Sequence, residues 1–378
     1  MKLQQERDIR DHLGKLPNDL KDAYDDIYRD MNESERRIVD RAFQWVMCSS
    51  KPLSTSVLLP AVCQDVEDDS IQPVDDLDED LLLEYCRNLL VIDSNREVWI
   101  PSHLSVIEYV ENHLWSSLRA HQLVASVCLK LLNCPTYYNN GEDGELGNAK
   151  MDPKYNSSQC DISPYSDFYD LRDYAVHHWM THIQKCEDTD INERVCSLLK
   201  QFLGSPAESS FAYQSWHMSI SKSTGVISEF RTEDFEPTSL ASFAICAFGF
   251  YTILSPWWED RWEICMHKNV LGGSLLQLAV VGNSAPVCAR LSKWGARVDE
   301  QIEDSPYYRY GCLLGLAASH SNREVVKVLL QSGADANTLP HVGNYGSALI
   351  VAAISGNYEV AKLLLESGAD IRASINRK

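Results

Sequence analysis

Three side chains with metal-binding chemistry recur along one stretch. In "YAVHHWMTHIQKC", His178, His182 and Cys186 fall at i, i+4 and i+8. A helical period puts them on one face, and imidazole and thiolate are zinc-capable donors. No fourth ligand is evident, and packing and polar contacts around Trp179 are the simpler expectation, so no metal is expected. Between Asp65 and Asp80 lie nine acids and no base. That run lacks the alternating ligands and central Gly of a calcium loop, which predicts a solvated loop. Nucleophile-elbow (GxSxG), zinc-protease (HExxH) and Gly-rich dinucleotide patterns are absent. The one Gly-Lys pair, Gly14-Lys15, is followed by Leu16, so there is no phosphate-cradling P-loop. Neither an enzyme, nor a cofactor, nor a small-molecule substrate is expected.

The elements that carry these residues belong to a chain of 378 residues with a net charge of -20, long enough for two or three domains. The acid is unevenly placed. From Leu271 to Lys378 there are ten Lys+Arg and nine Asp+Glu, so the excess lies upstream. Such a surface repels polyanions, and neither nucleic acid nor an anionic membrane is an expected partner. Twelve cysteines are scattered without a CxxC pair, and "MKLQQERDIR" has no apolar signal core. Both point to free thiols in a reducing, cytoplasmic compartment. Pro237 to Trp258 carries no charge, but its Ser, Thr and internal Pro suit a buried helix pair better than a membrane span.

The last third repeats itself. Gly273, Gly311 and Gly346 each open a segment; Gly295, Gly333 and Gly368 each close one, 22 residues later and always before Ala. The units are spaced 38 and then 35 residues apart, and Val287, Val325 and Val360 coincide, as do Leu291, Leu329 and Leu364. A period of this size signals stacked units. Each unit reads as a small Ala-rich helix ("LLGLAAS") and a second helix closed by a C-cap glycine, with Asn322 capping one start. One unit cannot bury its own apolar face, so neighbours must stack. The units resemble ankyrin repeats, with "EVVKVLLQSGADAN" and "EVAKLLLESGAD" nearest that pattern. The family's "TPLH" opening is replaced by "SLLQ", "CLLG" and "SALI". Upstream, "FAICAFGFYTIL" reads as a degraded earlier unit. What the resemblance implies is a protein partner bound by the tips and inner helices of the stack. Tyr307, Tyr308, Arg309 and Tyr310 on one tip and His341, Asn344 and Tyr345 on the next are the candidates. Packing of the tyrosines against adjacent tips is the competing reading.

The N-terminal third reads as helices around a hairpin. Asn32 and Glu35 form a capping-box start, and Ile38, Ala42, Trp45 and Val46 share a helix face. Ser54 is placed to cap a second helix, Thr55 to Cys63, which contains Pro60. "EDLLLEYCRNLL" is a third helix, "LVIDSNREVWI" two strands around Ser94-Asn95-Arg96, and "SHLSVIEYVENHL" a closing helix. That order is a winged-helix layout. Its third helix offers only Arg87 after dense acid, which argues against DNA. From Leu16 to Cys134, "YDDIYRDM…ERRIVDRAFQWVMCSSKPLS…LLPAVCQD" and "YCRNLLVID…HLSVIEYVENHL" resemble the module that follows the NACHT nucleotide-binding domain in fungal NACHT-ankyrin proteins, STAND-class signalling NTPases. "FYDLRDYAVHHWMTHI" resembles their helical linker. The resemblance implies a role in signalling or self/non-self recognition. It also implies that His103, in "HLS..EY", can sense a bound diphosphate when a NACHT domain is present; an N-cap-region histidine without ligand is the alternative. The chain would then begin downstream of the motor domain.

The expectation is a mainly α protein with a winged-helix-like module at 1–132, a polar insertion and helical linker region at 133–236, and a short ankyrin solenoid at 237–378 whose first unit is degenerate.

Overall fold

A computed structural model gives the fold and describes residues 18–66, 70–74, 76–114, 116–134, 168–187, 192–221, 226–227, 230–237, 240–303 and 306–372. The polar stretch expected over 133–167 falls almost wholly outside the described residues. The protein is mainly helical and divides into two compact units, Met1–Val195 and Cys196–Lys378. Among the described residues its sheets are three antiparallel two-stranded pairs.

In the first unit, α1 spans Asn18–Arg29 and α2 Glu33–Cys48. The capping box at the start of α2 is formed: the Asn32 side chain accepts from the Glu35 N–H at 2.9 Å and the Glu35 carboxylate accepts from the Asn32 N–H at 3.1 Å. The buried face of α2 is Val39, Ala42, Phe43, Trp45 and Cys48. Ile38 and Val46, expected on that face, are half-buried instead, and Phe43 is buried there. Helix α3 (Thr55–Cys63) tolerates Pro60 in a short, apolar segment. Ser54 sits at its N-cap without a side-chain cap; its hydroxyl meets the Ser56 hydroxyl at 2.9 Å. Helix α4 (Glu79–Cys86) is capped by Asp78. It stops four residues before the expected end, because Arg87 and Asn88 turn left-handed (φ 46° and 62°). The freed residues begin β1 (Leu90–Asp93), which pairs with β2 (Val98–Pro101) in the register Leu90↔Pro101 to Asp93↔Val98. Leu53 adds a bridge to Trp99, whose N–H donates to the Leu53 carbonyl at 2.9 Å. The hairpin leads into α5 (Leu104–His113), then into α6 (Ser117–Asn133) and α7 (Tyr169–Cys186). The last two are long and pack closely on each other; α6 also packs on α2, and α7 on α3.

The second unit enters through α8 (Glu193–Leu203), a short hairpin (β3 Gly204–Ser205, β4 Glu208–Ser209) and α9 (Phe211–Ser221), then β5 (Val226–Ile227) and β6 (Phe230–Arg231). Phe202, Tyr213, Trp216, Phe235 and Phe248 form its aromatic core with ring centroids 5.2–6.0 Å apart. Every residue of α10 (Ala241–Phe248) is buried. This explains its lack of charge without a membrane, and among the described residues no helix is long and apolar enough to cross one. Three helix pairs follow: α11 (Leu275–Val281) with α12 (Ala285–Lys293), α13 (Leu313–Ser319) with α14 (Arg323–Gln331), and α15 (Ala348–Ile354) with α16 (Tyr358–Glu366). They stack in two rows, α10–α11–α13–α15 and α12–α14–α16. Upstream of α11 lie short 3-10 turns at Ser255–Trp258 and Glu263–Met266; Trp258 stacks on Trp294 at a centroid distance of 5.5 Å, and Trp262, just before the second turn, meets Trp294 at a tilt at 5.3 Å.

Candidate functional site

The helix pairs repeat down to single hydrogen bonds. Gly295, Gly333 and Gly368 are all left-handed, at φ 96°, 99° and 89°. In each, the following Ala N–H reaches back to a leucine carbonyl: Ala296 to Leu291, Ala334 to Leu329 and Ala369 to Leu364, at 2.9–3.0 Å. That six-to-one closure is a Schellman cap, which satisfies carbonyls the helix leaves open. Asn322 and Asn357 cap α14 and α16 by accepting from the Val325 and Val360 N–H groups. Ser274 caps α11 and the Cys312 sulfur caps α13, whereas Ser347 makes no such bond. Successive turns are laced together: the Asp335 N–H donates to the Asp299 carboxylate at 3.2 Å, the Asn337 amide donates to the Gly368 carbonyl at 3.0 Å, and the Asp370 N–H donates to the Asn337 side-chain oxygen at 2.6 Å.

The tips divide into residues that serve the fold and residues that face solvent. Tyr307 is 9% exposed and its hydroxyl donates to the Asp234 carboxylate at 3.3 Å. Tyr310 stacks on Tyr345 at 5.8 Å and meets His320 edge-on. Tyr310 therefore ties its tip to the next, and Tyr307 ties it to the turn that carries Asp234. Tyr308 is 50% exposed, and Arg309, His341 and Asn344 are exposed. Arg309 lies over the Tyr310 ring at 5.4 Å, and its carbonyl accepts the Asn344 N–H at 2.8 Å. The His341 N–H donates to Gln301 at 3.2 Å. One patch thus presents Tyr308, Arg309, His341 and Asn344 on backbone fixed by internal bonds.

His103 is the exposed N-cap of α5. Its Nδ1 accepts from the Ser105 N–H at 3.2 Å and lies 2.7 Å from the Ser105 hydroxyl, which lies 2.7 Å from Tyr24 Oη. With Nδ1 so engaged, the ring proton sits on Nε2 and remains available for donation. The Tyr109 hydroxyl donates to Asp25 at 2.7 Å, a further tie between α1 and α5.

His178, His182 and Cys186 share a helix face but, among the described residues, are not the metal-capable donors that come together. His178 turns to Tyr174, centroids 4.7 Å apart. His182 instead meets two residues from other helices: its donor atom, that of His121 on α6 and the Cys48 sulfur on α2 all lie within 4.8 Å of one another. Nothing in the local pattern around Cys48 or His121 marks them, since three helices must pack before they meet.

With the geometry in place, comparison with known families matches residues 275–375 to ankyrin repeats, in three copies. The C-terminal part of the chain is an ankyrin-repeat array, a class of module that mediates protein–protein binding. No curated protein matches the chain.

Proposed function

We propose that the protein is a non-enzymatic scaffold that binds a protein partner through its ankyrin stack, within a signalling or self/non-self recognition pathway. The observation that carries this reading is the tip patch of Tyr308, Arg309, His341 and Asn344. Its aromatic and guanidinium groups are exposed while their backbone is locked by Tyr310–Tyr345 stacking and the Asn344–Arg309 bond. Preorganised Tyr and Arg side chains lose little entropy on binding and are frequent interface anchors. Affinity capture with the full chain tests it, comparing wild type with a Tyr308→Ala/Arg309→Ala/Asn344→Ala variant of unchanged melting temperature. The expected result is a discrete set of partners lost by the variant; a set indifferent to the patch would overturn the proposal.

A second reading, a nucleotide-switched STAND-class regulator, is favoured by one observation: exposed His103 with Nδ1 engaged and Nε2 free to donate toward a phosphate oxygen. The order α2, Leu53 bridge, α3, α4, β1, β2 supports a winged-helix module beside it. In this reading a NACHT domain supplies the P-loop and His103 reads its diphosphate. Calorimetric titration of the chain with ATP is expected to show no binding, since no P-loop is present. Adding a NACHT domain in trans with ADP is expected to give binding that His103→Ala weakens; failure of that pair sinks the second reading and leaves the scaffold untouched.

A further inference from the structure

We infer that Cys48, His121 and His182 form a buried binding site for one borderline divalent cation, zinc above all. The three donors arrive from three helices: Cys48 closes α2, His121 lies in the second turn of α6, and His182 lies one turn before the end of α7. Their donor atoms are mutually within 4.8 Å. The Nδ1 atoms of His121 and His182 face each other at 2.9 Å. A tetrahedral zinc site with Zn–N bonds of about 2.0–2.1 Å separates two nitrogens by about 3.3 Å. The rings therefore need to part by only a few tenths of an ångström, and half-buried His121 has the freedom to do it.

The surroundings are those of a metal-ligand shell. His182 is fully buried, and its other nitrogen, Nε2, lies 2.8 Å from the Tyr174 hydroxyl. That hydroxyl in turn accepts the Ser50 N–H at 3.1 Å. An outer partner on Nε2 fixes the ring's orientation and, when Nε2 carries the proton, leaves Nδ1 as a lone pair aimed at the other ligands. On binding, the Cys48 thiol would release its proton to solvent, as metal-bound thiols do. One thiolate and two neutral imidazoles leave a net single positive charge on a dication. Lys185 is the cation felt at His121, and Cys186 and Cys128 lie close enough to Cys48 to interact electrostatically with it. The competing arrangement is a neutral relay, in which the Tyr174 hydroxyl donates to His182 Nε2 and His182 Nδ1–H donates to His121.

Cobalt substitution in the full-length, chelator-stripped chain separates the two. The expected result is one equivalent of Co2+ bound with intense four-coordinate visible bands and a near-ultraviolet thiolate-to-cobalt charge-transfer band, all displaced by Zn2+. Cys48→Ser is expected to remove the charge-transfer band. His121→Gln, at a half-buried position, is expected to leave the circular dichroism unchanged and to weaken binding at least tenfold. Cys186→Ser is expected to change neither. Absence of the bands in the wild type, or bands of equal strength in Cys48→Ser and His121→Gln, would overturn the assignment in favour of the neutral relay.

Discussion

Asp40 shows how burial sets a residue against its own charge. It lies on α2 beside Tyr28, and burial raises its pKa to about 6, only partly offset by Arg36. The folded pKa thus exceeds the unfolded value of about 3.9. Stability from this group is full below about pH 4 and is lost as pH rises through 6, because the folded state releases a proton that it holds more tightly than the unfolded chain. Asp40→Asn is therefore expected to raise the melting temperature at pH 8 and to have little effect at pH 4. Allowing for its partial exposure, the gain is on the order of 1 kcal/mol; equal effects at both pH values in a thermal-shift series would refute it. Gly282 poses a steric question instead. A Cβ there would lie 2.1 Å from the Ala247 carbonyl oxygen, so Gly282→Ala must push α11 from α10. Chemical denaturation is expected to show a loss of about 2 kcal/mol. Gly333→Ala meets no atom within 4 Å and suffers only its positive φ, so a larger loss there than at Gly282 would contradict this account.

Among the elements, the second helices of the repeats depend on their caps. Asn322 is buried and accepts from the Val325 N–H at 3.3 Å; Asn357 does the same for Val360 at 3.4 Å. Each cap satisfies one of the open N–H groups of a nine-residue helix, where a single turn is a large fraction of the whole. Asn322→Ala and Asn357→Ala are each expected to cost about 1 kcal/mol in urea unfolding. Asn322→Ser, which keeps an acceptor, is expected to recover most of that loss, and no difference between the Ser and Ala variants would remove the cap from the argument. The Asn322 cap and the closing glycines are readable in the sequence, because capping is a local matter of side-chain reach. The end of α4 was not. "EYCRNLL" looks helical through Leu90, yet Leu90 is needed to pair with Pro101, and strand pairing wins over local propensity.

Across the whole molecule, the repeat array behaves as a line of neighbours. Residues Ala317, Ala318 and Val326 in the middle pair are fully buried, because a pair packs on each side. In the last pair, Ile354 and Leu365 are 61% and 44% exposed, and Ile371 just after it is 77% exposed. Repeat stability is approximately a sum of nearest-neighbour terms, so α15 and α16, which among the described residues pack on a neighbouring pair on one side, should open first. Hydrogen exchange followed by mass spectrometry is expected to show protection falling from α11–α12 through α13–α14 to α15–α16. Uniform protection along 275–372 would mean that the array unfolds as one body and not from its end.

By itself the sequence determined the parts of this protein that depend on near neighbours along the chain. These include the ankyrin period, its Gly-Ala closures, the Asn32 and Asn322 caps, the hairpin around Ser94-Asn95-Arg96 and the burial of the uncharged Ala241–Phe248 helix. Side-chain destinations were decided only by tertiary packing. Helical spacing grouped His178, His182 and Cys186, but a helix face says nothing of what faces it. Once α2, α6 and α7 come together, His182 meets Cys48 and His121, 134 and 61 positions earlier in the chain. The tip tyrosines divide for the same reason. Composition treats Tyr307, Tyr308 and Tyr310 alike, and only the position of Asp234 and the adjoining tip turns two of them inward and leaves Tyr308 in water.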